Sequence, residues 1–391
     1  MLFGLTETQQ TLKNTVRKFL AAECPLAEVR RMMETETAFD SALWTKMAEQ
    51  GWTGIIFPEE HGGFGMGMVE MVTTLEEMGR ALLPGPFFST VLMAGTLLDS
   101  AGDDGQKEKH LARICRGEAK ATVAFLEESA SWDPSSVRLN ASASGGGYTL
   151  DGLKLFVPDA AVADFLICVA RLAGELALFV VPSKTPGLRI TYMPTMDATR
   201  KLYEVSFQSV TIGRENLLAY GLRAQSALKR ARDIATVGLV AEMTGGMQRL
   251  LEVTVEYAKT RKQFGRPIGQ FQAVQHQCAD MLLYTESSRS AAYYAAWALH
   301  EGIPEAHLAV SVAKAYASDA YREVGNRAIQ VHGGMGFTWE NDAHLYYRRA
   351  KASEIAFGDA TYHRERVAQM VVDAVQAPVE EGVLLAANAR D

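Results

Sequence analysis

Several things are scarce in this chain, and each shortage removes a class of function. Only four of its 391 residues are cysteine, at Cys24, Cys115, Cys168 and Cys278. They are far apart along the chain and form no close metal-ligand pair, and they read as reduced thiols. No H-x-x-x-H spacing suggests a metal helix. No apolar run is long enough to cross a bilayer. The opening segment MLFGLTETQQTLKNTVRKFLAAE is amphipathic and has no apolar signal-peptide core, so the expectation is a cytoplasmic protein without a membrane span. Basic charge is also short: 39 Lys and Arg stand against 46 Asp and Glu, a formal net charge of −7. That balance, with no basic stripe, argues against nucleic acid as a partner.

What is present falls into three stretches with different periods, in a chain long enough for two or three domains. Residues 1–118 favour helices. Thr6 is placed to cap one in which Leu12, Val16, Phe19 and Leu20 recur at helical spacing, and Pro84 and Pro86 end a later run. Residues 119–217 read as strands. Tyr148-Thr149-Leu150 passes through Asp151-Gly152 into Lys154–Val157 as an expected hairpin, and 164–170 and 176–181 are β-rich apolar runs. No helix-length segments separate the strands, which predicts an antiparallel, barrel-like middle domain. Residues 218–391 turn helical again, with long runs over roughly 222–260, 270–301, 304–329 and 341–376, and predict a C-terminal four-helix bundle.

Two segments carry chemistry. Thr260-Arg261-Lys262-Gln263-Phe264-Gly265-Arg266-Pro267 closes one helix and turns the chain into the next. Cationic donors at such a corner suit a phosphate-bearing ligand, and Phe264 suits a flat ring. The plainer reading is a solvated helix end whose basic residues complement the helix dipole. Gln330-Val331-His332-Gly333-Gly334-Met335-Gly336-Phe337-Thr338-Trp339-Glu340 puts three glycines in four positions. Its N–H groups could cradle a pyrophosphate, or the glycines could simply serve a turn between helices.

Taken together, the α–β–α order, the 256–280 segment EYAKTRKQFGRPIGQFQAVQHQCAD and QVHGGMGFTWE resemble the acyl-CoA dehydrogenase family over essentially the whole chain. The resemblance implies FAD between the β-domain and the C-terminal bundle, an acyl-CoA substrate and an oligomer with shared cofactor sites. Arg261, Gln263 and Phe264 would reach a flavin held mainly by a neighbouring subunit, and Gln330, Gly333 and Gly334 would approach its phosphates. Lys154–Asp164 resembles the family's flavin-facing segment, with Phe156 in place of a tryptophan and Pro158 in place of a threonine. Ala124–Asp133 matches an upstream flavin segment but lacks its proline and glycine.

The family reaction removes a proton from the carbon beside the thioester carbonyl, so it needs a carboxylate base. By resemblance that glutamate occupies one of two positions. Phe357 stands in the first and Ala235 in the second, so the catalytic residue is open. Asp233 is the nearest acid to Ala235. Asp359 and Glu354 are weaker candidates, read more readily as a helix cap and a surface charge, and Glu242 lies nearly two turns inside the helix, too far away.

The sequence therefore predicts an acyl-CoA dehydrogenase-type flavoprotein subunit. It resembles the paired subunits of heteromeric enzymes that act on bulky steroid side-chain CoA thioesters, including over Phe337–Tyr346. A homologous subunit would then supply the base. Two alternatives stay open: a homomeric enzyme using Asp233, and a structural or regulatory partner without chemistry. The electron acceptor is not identified by the sequence.

Overall fold

The computed structural model describes residues 4–373. Its N-terminal part is helical: α1 Glu7–Glu23, α2 Leu26–Met33, α3 Ser41–Glu49, α4 Met68–Arg80, α5 Thr96–Ala101, α6 Asp104–Gln106 and α7 Ala112–Cys115. Thr6 caps α1 as its sequence suggests. Its hydroxyl accepts from the Gln9 N–H at 3.2 Å, and the Gln9 side chain accepts from the Thr6 N–H at 2.9 Å. The apolar face of α1 buries Val16 and Leu20.

One buried acid ties three helices together. Glu76 of α4 takes Lys13 of α1 at 2.8 Å, and from α9 (Gln272–Glu301) it takes Arg289 at 3.0 Å and the Tyr293 hydroxyl at 2.9 Å. Burial pushes the Glu76 carboxyl up, but Lys13 and Arg289 outweigh it and hold it below the ordinary carboxylate range. A buried carboxylate is tolerable only when satisfied in this way.

The middle part is an eight-stranded sheet: β1 Ala121–Ala124, β2 Asn140–Ser144, β3 Gly147–Pro158, β4 Phe165–Leu172, β5 Glu175–Pro182, β6 Leu188–Met193, β7 Leu202–Gly213 and β8 Leu217–Tyr220. It corrects the expected antiparallel barrel in two ways. First, the order β6-β7-β3-β2-β4-β5-β8 is an open path, and no pairing among the described residues joins β6 to β8. Second, the sheet is mixed. β1 pairs in parallel along Phe165–Cys168 of β4, and β2 pairs in parallel with Arg171 and Leu172 of the same strand. A reading that pairs sequence neighbours misses this, because β1 finds its partner only after the β2–β3 hairpin has intervened.

Burial explains why β4 and β5 are continuously apolar. Phe165, Ile167 and Val169 join the core shared with the helices, while Leu166, Cys168 and Ala170 face a second core with Leu150, Val205 and Phe207. The sheet thus has a core on each side of β4. The expected turn at Asp151-Gly152 is also corrected. β3 runs straight through it, with Gly152 at φ 144° and a register shift against β7, so the pair marks a bulge. The hairpin turn lies instead at Gly145 and Gly146, both at positive φ between β2 and β3.

The C-terminal part contains α8 Leu222–Thr260, α9, α10 Ala306–His332, α11 Ala343–Ile355 and α12 Ala360–Ala368. The fourth expected run, 341–376, is two helices, because Phe357 and Gly358 take positive φ of 60° and 100° and break it; residues 374–376 lie outside the described residues. Helix α8 is the axis of the molecule. Every residue from Asp233 to Met247 is buried. Helix α4 crosses it with backbones nearly touching: a Cβ at Gly79 would lie 2.0 Å from the Glu242 carbonyl oxygen, and one at Gly245 would lie 1.7 Å from that of Glu76. Among the described residues no helix is long and apolar enough to cross a membrane.

The crossing makes a direct prediction. Gly245→Ala should destabilise the protein by at least about 2 kcal/mol, since the added methyl meets backbone that cannot rotate away. A melting curve within a degree or two of wild type would show that the helices separate easily.

Candidate active site and cofactor surface

At the end of α8 the chain folds into a minute hairpin, Lys262–Gln263 against Arg266–Pro267. Phe264 and Gly265 make its turn at positive φ of 53° and 79°. Arg261, Lys262 and Gln263 are exposed, and Phe264 is 90% exposed, an unusual position for a large apolar ring. Arg266 lies over the Phe271 ring at 4.2 Å, which stiffens the corner.

The glycine segment follows α10. Gly333 has φ 61°, and a Cβ at either Gly333 or Gly334 would meet nothing within 4 Å, so both face open space. Gln330, Met335, Phe337 and Trp339 are exposed beside it. The structure brings corner and glycine turn together through one stacked pair. Tyr257, one turn before Arg261, lies on His332 with ring centroids 4.4 Å apart, and its hydroxyl donates to the His332 carbonyl at 3.4 Å. Burial lowers the His332 pKa and favours the neutral ring, whose Nδ1–H donates to the Ala328 carbonyl at 2.8 Å.

This surface fits the diphosphate end of FAD. It combines exposed guanidinium and amide donors, a free aromatic face and a glycine pair with unobstructed backbone. The middle sheet fits the flavin end less well. Phe156, at φ 54° and 37% exposed, offers a ring. Pro158 has neither hydroxyl nor N–H to donate, and its carbonyl already accepts from Thr122 at 2.6 Å. Nearby, buried Lys154 donates to Glu127 at 2.7 Å and to the Phe125 carbonyl at 2.9 Å.

Phe357, in one of the two positions where the resemblance puts a base, is part of an aromatic stack. Its ring lies 4.7 Å from Trp132, which lies 5.6 Å from Phe125, and Phe88 approaches Phe357 at 5.8 Å. The space left beside them is about 20 Å³, bordered by Met93, Leu97, Val123, Leu228, Ala231 and Arg232. The Phe357 turn is clamped from below. Lys314 of α10, fully buried, donates to the Ser318 hydroxyl and to the carbonyls of Glu354 and Gly358 at 2.8–3.0 Å. The buried imidazole of His363 donates its Nε2–H to the Phe357 carbonyl at 3.1 Å. Burial, then the charges of Lys314 and Arg366, push the His363 pKa down to about 3, so the ring stays neutral.

The acids near this region are engaged elsewhere. Ala235 is buried within α8. Asp233, also buried, takes His307 at 2.6 Å and Arg366 at 3.6 Å, and it does not border the space beside Phe357. Glu242 accepts twice from Arg200, at 2.6 and 2.9 Å. Asp359 caps α12 by accepting from the Tyr362 N–H at 2.8 Å, and Glu354 pairs with Arg322 and Lys351. Asp159, which the sequence reading did not single out, is fully buried behind Ser89. Burial raises it to about 6, and the Ser89 hydroxyl donates to it at 2.7 Å.

Trp132 and Lys314 were also missed. Trp132 had a signal, since it sits in the segment that departs from the flavin pattern. Lys314 had a fainter one, a lone lysine between alanines on an inward helix face. A cavity of about 240 Å³ lies apart from all of this, between α5, the first turns of α8 and the end of α9. Among the described residues no cluster of His, Cys, Asp and Glu could hold a metal ion.

Comparison with known proteins bears on the whole chain. Residues 6–118, 122–210 and 223–372 match the N-terminal, middle and C-terminal domains of acyl-CoA dehydrogenases. Acyl-CoA dehydrogenase IpdE2 of Mycobacterium tuberculosis is 32% identical, covering 89% of this chain and 92% of its own. The ChsE4–ChsE5 complex of Mycobacterium tuberculosis superposes with a TM-score of 0.87 at 29% identity, over 95% of this chain and 99% of its own. The steroid acyl-CoA dehydrogenase Tcur3481–Tcur3483 gives 0.86 at 28%, with the same coverage. Two further structures of this fold, each 25% identical with TM-scores of 0.89 and 0.88, hold FAD.

The clamp under Phe357 can be tested through pH. Burial lowers the Lys314 amine from 10.5 to about 7. The unfolded chain therefore holds a proton between those values that the folded chain releases, and stability owed to this group rises with pH across that window. Lys314→Met removes that rise and leaves two carbonyls without a donor, at a cost of about 2–4 kcal/mol. The gap in melting temperature between wild type and Lys314→Met should widen from pH 7 toward 10. A gap independent of pH would mean the amine is charged throughout.

Proposed function

We propose, from the premise that the chain belongs to the acyl-CoA dehydrogenase family, that it serves FAD-dependent α,β-dehydrogenation of an acyl-CoA thioester as one subunit of a heteromeric enzyme. The observation that carries this reading is an imbalance between two halves of a site. The corner at Arg261 and the turn at Gly333 are exposed and adjacent, ready to meet a ligand from another subunit. The positions where the base is expected hold buried Phe357 and Ala235.

When bound, FAD accepts the hydride leaving the acyl β-carbon. Everything else falls to side chains. Arg261 and Gln263 donate to the diphosphate, and the N–H groups of Gly333 and Gly334, with Gln330 beside them, complete its cradle. Phe264 covers a flat ring, and Phe156 offers a second ring on the middle sheet. The proton on the α-carbon must pass to a carboxylate, and among the described residues none borders the space beside Phe357. The homologous subunit supplies it in this reading. A bulky steroid side-chain thioester is the substrate proposed, because ChsE4–ChsE5 and the steroid enzyme are both pairs of named chains that this one resembles throughout. The same reading divides the chain into domains at 1–118, 119–217 and 218–391. The homomeric alternative with Asp233 as base is disfavoured, since that carboxylate is held by His307 and Arg366.

Co-expression with a homologous subunit and measurement of flavin and turnover test the proposal. The chain alone should show no acyl-CoA oxidation, and the pair should be yellow and active. Arg261→Ala should weaken FAD retention by the pair about 10-fold or more, the loss expected for a charged hydrogen bond. Turnover by the isolated chain would refute the subunit reading.

A further inference from the structure

We infer that the acyl chamber of this chain is shut by its own aromatic residues, so that the chain takes up no acyl thioester even with FAD supplied. The inference rests on the reading above for the identity of the chamber, the space beside the base position at Phe357. It goes further than a missing base. A glutamate replaced by a small residue would leave an open, unreactive pocket that binds thioester uselessly. Here the replacement is a large ring, and a second large ring, Trp132, fills what remains.

The geometry supports closure. Trp132 stacks against two rings: Phe357 at 4.7 Å with planes 29° apart, and Phe125 at 5.6 Å with planes 10° apart. Phe88 backs Phe357, and the Arg200 guanidinium lies over Phe88 at 4.9 Å. The residual space of about 20 Å³ suits a single water. Small-molecule pockets run to roughly 300–1,000 Å³. One buried group borders that space without a partner, the Nε of Arg232, and one water would satisfy it.

The rings are also hard to displace. Phe357 sits at φ 60° in a turn whose carbonyls are held by Lys314 and His363. The next residue, Gly358, has φ 100°, and a Cβ there would lie 2.2 Å from the Tyr362 ring. The turn therefore has little room to rotate Phe357 outward. Trp132, half-buried on the loop between β1 and β2, is stacked against both Phe125 and Phe357. A heteromeric assembly would accordingly hold acyl thioester only in the chambers of the other subunit type.

The test is calorimetric titration of octanoyl-CoA into the purified full chain, with and without added FAD. Wild type should give no saturable heat up to about 1 mM ligand. The Trp132→Ala/Phe357→Ala double variant, confirmed folded by its melting transition, should bind at least tenfold more tightly than that limit. Trp132→Leu and Phe357→Leu are milder openings should the double variant not fold, and each should show the same gain in smaller degree. Saturable binding to wild type at one ligand per chain overturns the inference, and so do folded variants with no gain. The two readings fail separately. Thioester binding without turnover removes the closed chamber and leaves the subunit role standing. Absence of any partner that confers activity removes the subunit role and leaves the chamber closed.

Discussion

Helix α8 is surrounded by protein along its middle turns, and most of the structure answers to that constraint. A helix with so little solvent face must find protein partners for nearly all its polar groups. Thr236, Thr244 and Thr254 each donate to the carbonyl four residues back. Asp233 takes His307 and Arg366, and Glu242 takes Arg200. Gly245 lets α4 approach to backbone contact. The same helix runs from Arg232, beside the aromatic stack, to Arg261 at the exposed corner, so it holds the two halves of the candidate site at fixed separation.

Those halves have opposite character. On this side, apolar and cationic groups stand in the open: Phe264, near Arg261 in the chain, and Phe337 and Trp339, after the glycine turn, are all more than half exposed. Such surface is costly unless something covers it. At the other end, Phe357, at a position where the family resemblance puts a carboxylate, is packed against two other rings. A carboxylate there would need desolvation and a poised pKa to work as a base. A phenyl ring instead gains from burial and stacking and asks for no partner. The turn that carries it is held by a buried lysine and a neutral histidine. The position is thus well organised around a residue that cannot do the family's proton transfer.

Much of this was legible in the sequence because it is local. Helical spacing and the Thr6 cap depend on residues a few positions apart. The RKQFG corner and the GGMG turn are contiguous motifs, and the missing glutamate is visible from flanking residues alone. The middle sheet was harder. Asp151-Gly152 has the composition of a hairpin turn, yet Gly152 serves a bulge and the true turn lies at Gly145-Gly146. Strand periodicity said nothing of β1 lying parallel to β4, and so the barrel expected from a run of short strands was not the sheet that forms.

By itself, the sequence determined the order of helical and stranded parts, the family, the contiguous RKQFG and GGMG motifs and the absence of a carboxylate at Phe357 and Ala235. Each follows from neighbours along the chain. Only the tertiary structure decided that Trp132, Phe125 and Phe357 stack into one plug, that Tyr257 joins the corner to the glycine turn, and that Asp233 is held by His307. These contacts link residues distant in sequence, and they exist only because the packed sheet and bundle exclude every other arrangement of those side chains.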